Sequence, residues 1–167
     1  MCHSPVKIFL LLTILFCSAT LSVAAAEVRG RVSWVYDGDT LMVDGVGKVR
    51  LIGIDTPEAE SSSRDETYRR DGISPRQLRR GAKEATNFLL RAAKGKSVTL
   101  SFDRDKVDRY GRTLAYVTLD DGRMLNRELL KAGLALVYRR FEFALKDDFL
   151  RIEATAREAG RGLWARE

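Results

Sequence analysis

The sequence predicts a mainly β protein with flanking helices: a five-stranded OB-type barrel of the α+β class with about three helices. Three observations carry that expectation. Short stretches of alternating apolar residues are separated by Asp-Gly turn signals. Helical spacing first appears after the third such stretch. At 167 residues, with no internal repeat, the chain has room for one buried core and one domain.

The elements follow in order. Val28, Gly30, Val32, Trp34 and Tyr36 alternate with Arg29, Arg31, Ser33 and Val35, the period of a strand. Asp37-Gly38 turns the chain, Thr40–Val43 returns, and Asp44-Gly45 turns it again before Lys48–Ile54. These three strands form an antiparallel meander. Residues 59–72 hold Ser61-Ser62-Ser63, Arg64, Arg69 and Arg70 without apolar periodicity, and read as a long exposed loop.

Ser74-Pro75-Arg76-Gln77 is a helix start, with a serine cap, proline at the first position and glutamine at the third. Leu78, Ala82, Ala85, Leu89 and Ala92 continue it, and Gly95 ends it. Gly81 weakens the first turns and offers a second starting point. Val98, Leu100 and Phe102 mark a fourth strand, and Leu114–Leu119 a fifth. Leu125–Ala132 is a short helix stopped by Gly133, and Ala135–Tyr138 a brief extended piece. Leu145, Phe149, Ile152, Ala156 and Ala159 trace a last helix, after which Leu163 and Trp164 fold back as an apolar lock.

Hydrophobic content of 45% and charged content of 31% describe a globular chain and exclude a disordered one. Residues 1–26 read as a secretory signal, leaving residues 27–167 as the single domain. Lys7 is the basic end, Ile8–Phe16 the apolar stretch and Ala24-Ala25-Ala26 the cleavage site. An uncleaved membrane anchor is the alternative, diluted by Thr13, Ser18, Thr20 and Ser22. Cleavage makes the protein exported, secreted or periplasmic, with no stable membrane association afterwards.

Cys2, Cys17 and His3 all fall inside the signal. The mature chain then has no disulfide, no cysteine metal site, no histidine acid–base chemistry and little scope for zinc. Loss of Lys7 takes the charge from +6 to +5, a balance that favours polyanionic partners.

Charged residues gather where a core does not want them. Val49–Glu58 runs from an apolar strand into a cluster holding Arg50, Asp55, Thr56 and Glu58. Asp37-Gly38-Asp39-Thr40 adds acids at a turn, and Asp108-Arg109-Tyr110-Gly111-Arg112 adds a second arginine in a glycine-containing loop. Asp39 and Asp55 follow strands that can pair side by side. At about 4 Å their repulsion is near 4 kcal/mol at an effective dielectric of 20, so one takes a proton or a cation sits between them.

Oxygen ligands alone select a hard ion, calcium or magnesium. Thr56 precedes Pro57, which fixes the direction of the Thr56 carbonyl as a third ligand. Glu58 is the candidate base for a water, and Arg50 and Arg112 are the candidate phosphate clamps. Strict alternation sets Arg50 and Asp55 on opposite faces, about 17 Å apart along a straight strand, unless Gly53 hosts a bend. Singly, each motif has a plainer reading: a hairpin turn at Asp37–Thr40, an Arg112 pair with Asp108 or Asp120, edge packing by Tyr110 and Tyr138.

Together, Asp37–Thr40, Arg50–Glu58 and Asp108–Tyr116 resemble the staphylococcal nuclease (thermonuclease) family, and the likeness runs on through Asn126 and Gly133-Leu134-Ala135 to Gly162-Leu163-Trp164. The resemblance implies an OB-fold barrel and calcium-dependent hydrolysis of phosphodiesters in DNA and RNA by a monomer. It implies that Asp39, Asp55 and the Thr56 carbonyl bind Ca2+, that Arg50, Glu58 and Arg112 are catalytic, and that Asp37 is an acid near the metal. Tyr110 and Tyr138 match nucleotide-contacting tyrosines. Arg109 stands where the best-known member has a phosphate-touching lysine. The segment after Glu58 is longer and richer in arginine than the family pattern. Two other readings compete: a nucleic-acid-binding OB module that has lost catalysis, and an envelope protein whose metal site serves only stability.

Overall fold

A computed structural model describes residues 27–165; the signal expected over residues 1–26 lies outside them. Strands β1 (Val28–Val35), β2 (Thr40–Val43), β3 (Gly47–Leu51), β5 (Ser97–Ser101) and β6 (Thr113–Leu119) close a barrel in the order β1-β2-β3-β6-β5. Every pairing is antiparallel except β3 with β6, where Val49 faces Thr113 and Leu51 faces Ala115. A parallel neighbour needs a long crossover, and α2 (Pro75–Ala92) and β5 lie in the chain between the two strands. Two-residue strands β4 (Ile54–Asp55) and β7 (Leu136–Val137) pair outside the barrel. Helices α1 (Asp65–Arg70), α3 (Leu125–Lys131) and α4 (Lys146–Glu158) and a 3-10 turn at Gly162–Trp164 complete the chain.

The expected five-stranded barrel and three substantial helices are present, with three local differences. Alternation along β1 breaks: Val32 and Val35 are buried, whereas Trp34 and Tyr36 are exposed. The β1–β2 register shifts between Val32 and Trp34, so a bulge at Ser33 changes which face the side chains meet. The third strand ends at Leu51 rather than Ile54, and the chain bends at Gly53 with φ +80°. The stretch 59–72 is not all loop, since it contains α1 with Tyr68 buried. Helix α2 starts at Pro75, as the serine cap implies, and not at the alternative Gly81. Ser74 Oγ accepts from Gln77 N at 3.2 Å, and Gln77 Oε1 accepts from Ser74 N at 2.7 Å. Gly81 is there for space, as a Cβ would lie 2.3 Å from Leu163 Cδ2.

Two apolar clusters stabilise the chain by removing surface from water. The larger fills the barrel and reaches under α2, α3 and α4. The smaller joins Tyr68, Ile73, Leu78, Leu136 and Leu163, tying α1 and the C-terminal lock to α2. Asn126 is fully buried at the edge of the larger one. Its Oδ1 accepts from Val117 N at 3.1 Å and its Nδ2 donates to the Ile52 carbonyl at 2.9 Å, which anchors the turn that aims β4.

Candidate active site

The cluster is built from the β1–β2 turn upward. Asp37 Oδ1 accepts from Asp39 N at 2.9 Å, a side-chain turn that points the Asp39 carboxylate inward. Asp39 is buried, with Oδ1 accepting from Thr40 Oγ1 at 3.0 Å and Oδ2 from Thr56 N at 3.2 Å. Arg50 sits opposite Thr40 in the β2–β3 ladder. Its Nη1 pairs with Asp39, and its Nη2 donates to Asp55 Oδ1 at 2.8 Å. The bend at Gly53 therefore removes the geometric conflict of a straight strand: one guanidinium bridges the carboxylates of Asp39 and Asp55. A buried charge without such a partner would be costly.

Helix α1 adds two partners. Tyr68 Oη donates to Asp55 Oδ2 at 2.7 Å, and Arg64 pairs with both Asp55 and Glu58. Sequence reasoning missed both roles. The signal for them is the four-residue spacing of Arg64 and Tyr68, which places two side chains on one helical face.

Negative charge is in surplus here. Burial pushes the Asp37 carboxyl up, and the nearby Asp39 charge adds to it. Burial also raises Glu58, helped by Asp39 and Asp37 against the lowering pull of Arg50 and Arg112. Burial raises the Tyr68 phenol, which keeps its proton to donate.

A cleft of about 870 Å3 opens beside this cluster, lined by Arg50, Asp55, Arg64, Arg109, Tyr110, Arg112 and Tyr138 among others. Glu58 lines a shallower neighbouring depression that shares Arg64. Asp39 and Thr56 lie beneath the surface. Elsewhere in the same cleft lining, Asp108 Oδ1 accepts from the backbone N–H groups of Tyr110 and Arg112 at 2.9 and 3.0 Å. Asp108 Oδ2 accepts from Arg112 Nε at 2.7 Å, the pairing that the sequence left open. Burial would raise Asp108, but the Arg112 and Tyr110 hydrogen bonds outweigh it and hold the carboxyl low.

Tyr110 is two-thirds exposed, with the Arg109 and Arg112 guanidinium carbons 4.8 and 5.5 Å from its ring centre. Tyr138 stands 5.2 Å from the Phe141 ring, and its N–H donates to the Gly53 carbonyl at 2.9 Å. The structure thus bridges Asp39 and Asp55 through Arg50, joins Thr56 to Asp39 through its N–H, and links Glu58 to Asp55 through Arg64. Arg112, Arg109, Tyr110 and Tyr138 line the same cleft and make no hydrogen bond to Asp39, Asp55 or Glu58.

Fold and site together define a small OB-type barrel protein with a cleft lined by both acids and arginines. Residues 48–166 match the family described as staphylococcal nuclease homologue, and the chain belongs to that family. An uncharacterized protein of Methanocaldococcus jannaschii is 39% identical over 147 residues, which covers 81% of this chain and 70% of that protein. A thermonuclease of Staphylococcus intermedius is 37% identical over 154 residues, 86% of this chain and 82% of the relative. An uncharacterized endonuclease of Escherichia coli O157:H7 is 33% identical over 147 residues, 86% and 81% respectively.

Proposed function

We propose that this protein is an exported, monomeric, calcium-dependent nuclease that hydrolyses phosphodiester bonds in DNA and RNA. The observation that carries the reading is the Arg50 guanidinium held between two carboxylates at a cleft that Arg112, Arg109 and Tyr110 also line. Family membership and relatives named as nucleases support the same activity. No helix among the described residues is long and apolar enough to cross a membrane.

The residues fit a hard divalent cation by donor chemistry. Asp39, Asp55 and the Thr56 carbonyl offer only oxygen, and the Asp37 and Glu58 carboxyls are raised first by burial and then by the neighbouring acids, a charge that a cation would offset. Among the described residues no three His, Cys, Asp or Glu side chains form a ready cage, so the set rests on two carboxylates and a backbone oxygen. Bound calcium would polarise a phosphoryl oxygen and offset its charge.

In the proposed reaction Glu58 accepts a proton from the water whose oxygen attacks phosphorus. Arg50 and Arg112 donate to the phosphate oxygens as negative charge builds on them. The P–O bond to the leaving sugar oxygen breaks, and that oxygen takes up a proton. Asp108 fixes the direction of Arg112, while Tyr110, Tyr138 and Arg109 line the path of the nucleotide.

The test is cleavage of single-stranded DNA and of RNA by the purified protein, with calcium and with excess chelator. Calcium-dependent cleavage of both is expected, and undiminished cleavage in chelator would refute the mechanism. Binding without cleavage would favour the module that only holds nucleic acid.

A further inference from the structure

Helix α1 lies between Glu58 and the capped start of α2, outside the barrel, yet it is firmly seated. Asp65 Oδ1 accepts from Arg79 Nη2 of α2 at 2.7 Å, and the Tyr68 ring is 2% exposed among Ile73, Leu78, Leu136 and Leu163. Two side chains of this segment converge on one carboxylate. The Tyr68 hydroxyl donates to Asp55 Oδ2 at 2.7 Å, and Arg64 pairs with Asp55 Oδ1 and with Glu58.

The two contacts differ in kind. Tyr68 is rooted in a core and cannot follow Asp55 if the carboxylate turns. The Arg64 side chain is 41% exposed, on a long flexible stem that can leave for solvent. Resting on the nuclease reading above, we infer that α1 and its N-cap set the cation occupancy of Asp55: Tyr68 is a positioning residue that holds the carboxylate through Oδ2 for a divalent cation, and Arg64 is a built-in competitor for Oδ1, beside the Arg50 that also reaches it. A hydrogen bond from behind restricts rotation of the carboxylate, so less freedom is lost when a cation binds. A guanidinium on the same acid must be displaced or repelled first.

Calcium chloride titrated calorimetrically into the purified protein, into Tyr68→Phe and into Arg64→Gln separates these roles. Tyr68→Phe keeps the ring and is expected to weaken calcium binding about ten- to hundredfold, the usual cost of losing an outer partner. Arg64→Gln is expected to tighten it by roughly tenfold, between the water-screened and protein-screened limits for a unit charge at contact. Thermal unfolding in chelator supplies the second readout: a merely structural Tyr68 would lower that midpoint without moving the calcium Kd.

A parental Kd in Tyr68→Phe, or a parental or weaker one in Arg64→Gln, overturns the inference. Should Tyr68→Phe fail to fold, Asp65→Asn cuts the tether to Arg79 and is expected to weaken calcium binding in the same direction; a parental Kd there also overturns it. A parent protein that binds no calcium overturns the functional reading and this one together, whereas a parent that binds it with both variants unmoved overturns only the role of α1.

Discussion

Gly53 is where fold and site meet, and Gly53→Ala measures how much depends on it. Its φ of +80° costs an alanine about 1–2 kcal/mol. An added Cβ would also lie 2.6, 2.8 and 3.0 Å from three atoms of the Phe143 ring. That ring is buried against Phe141 and Phe149 at 5.7 and 5.5 Å, so relief requires shifting a packed aromatic row. Overpacking of this kind costs about 1–3 kcal/mol, and the sum is about 2–5 kcal/mol.

Gly45→Ala is the matched control, because Gly45 has φ +76° with nothing within 4 Å of its would-be Cβ. The gain from restricting the unfolded chain is the same for both and cancels. Urea unfolding should therefore place Gly53→Ala below Gly45→Ala by about 1–3 kcal/mol, a shift of roughly 1 M in midpoint at ordinary slopes. Gly53→Ala should also lower activity at temperatures where it stays folded, since the Gly53 carbonyl receives Tyr138 N–H and the bend delivers Asp55 to Arg50. Equal midpoints for the two variants would show that the Phe143 contact yields freely and that the bend tolerates a side chain.

Arg112→Lys keeps the charge but loses the planar fork; a rate reduction of a hundred- to thousandfold, ~3–4 kcal/mol, is expected in steady-state cleavage. Near-parental turnover would make Arg112 a structural partner of Asp108. Because burial raises Glu58 above the ordinary 4.5 in the absence of a cation, its carboxyl should titrate above that value in an NMR titration of the calcium-free protein, and the acid limb of the calcium-loaded rate profile should vanish from the residual rate of Glu58→Gln. Asp103 behaves oppositely: burial would raise it, but bonds from Tyr116 Oη and Ala144 N, each 2.6 Å, hold it low. Its stabilisation is present above the ordinary 3.8 and lost as pH falls through its depressed value, so urea melts carried into that range should show a smaller acid loss in Asp103→Asn. Neutralising Arg69 and Arg70, which are exposed with only long contacts to Glu66, should weaken oligonucleotide binding across sequences and flatten its salt dependence. An unchanged slope would place α1 away from the strand path.

The elements that the sequence made legible are those whose local chemistry is self-contained. The Ser74 cap needs only three neighbours to be recognised, and the Asp39 turn only Asp37. Helix α1 was missed because six residues are too few to show a period, and its burial falls on one aromatic, Tyr68, inside a run of charges. The Ser33 bulge was missed for a different reason. Trp34 and Val35 are both apolar, so a two-residue period cannot say which of them turns inward. At the site, residue types and spacing pointed to Arg50, Asp39 and Asp55, but their contact depends on the glycine bend and on β4 pairing with β7. That pairing is set by residues some eighty positions downstream, a distance over which local patterns carry no information.

Charge bookkeeping at the cleft explains why such a site would need both a cation and a polyanion. Among the described residues Asp39, Asp55 and Glu58 pair with Arg50 and Arg64, Asp37 forms no ion pair, and Arg112 is already matched by Asp108. The acid cluster is therefore negative within a basic chain. Long-range attraction draws a phosphate backbone to the protein, but the last few ångströms are repulsive unless positive charge is added at the carboxylates. A divalent ion supplies that charge and leaves the arginine forks to turn toward phosphate oxygens instead of aspartates. Cation and substrate should consequently bind with positive cooperativity, each tightening the other by the same factor. Calcium affinity measured with and without a non-cleavable oligonucleotide tests this directly, and equal affinities would mean that the acids and the phosphate do not share one field.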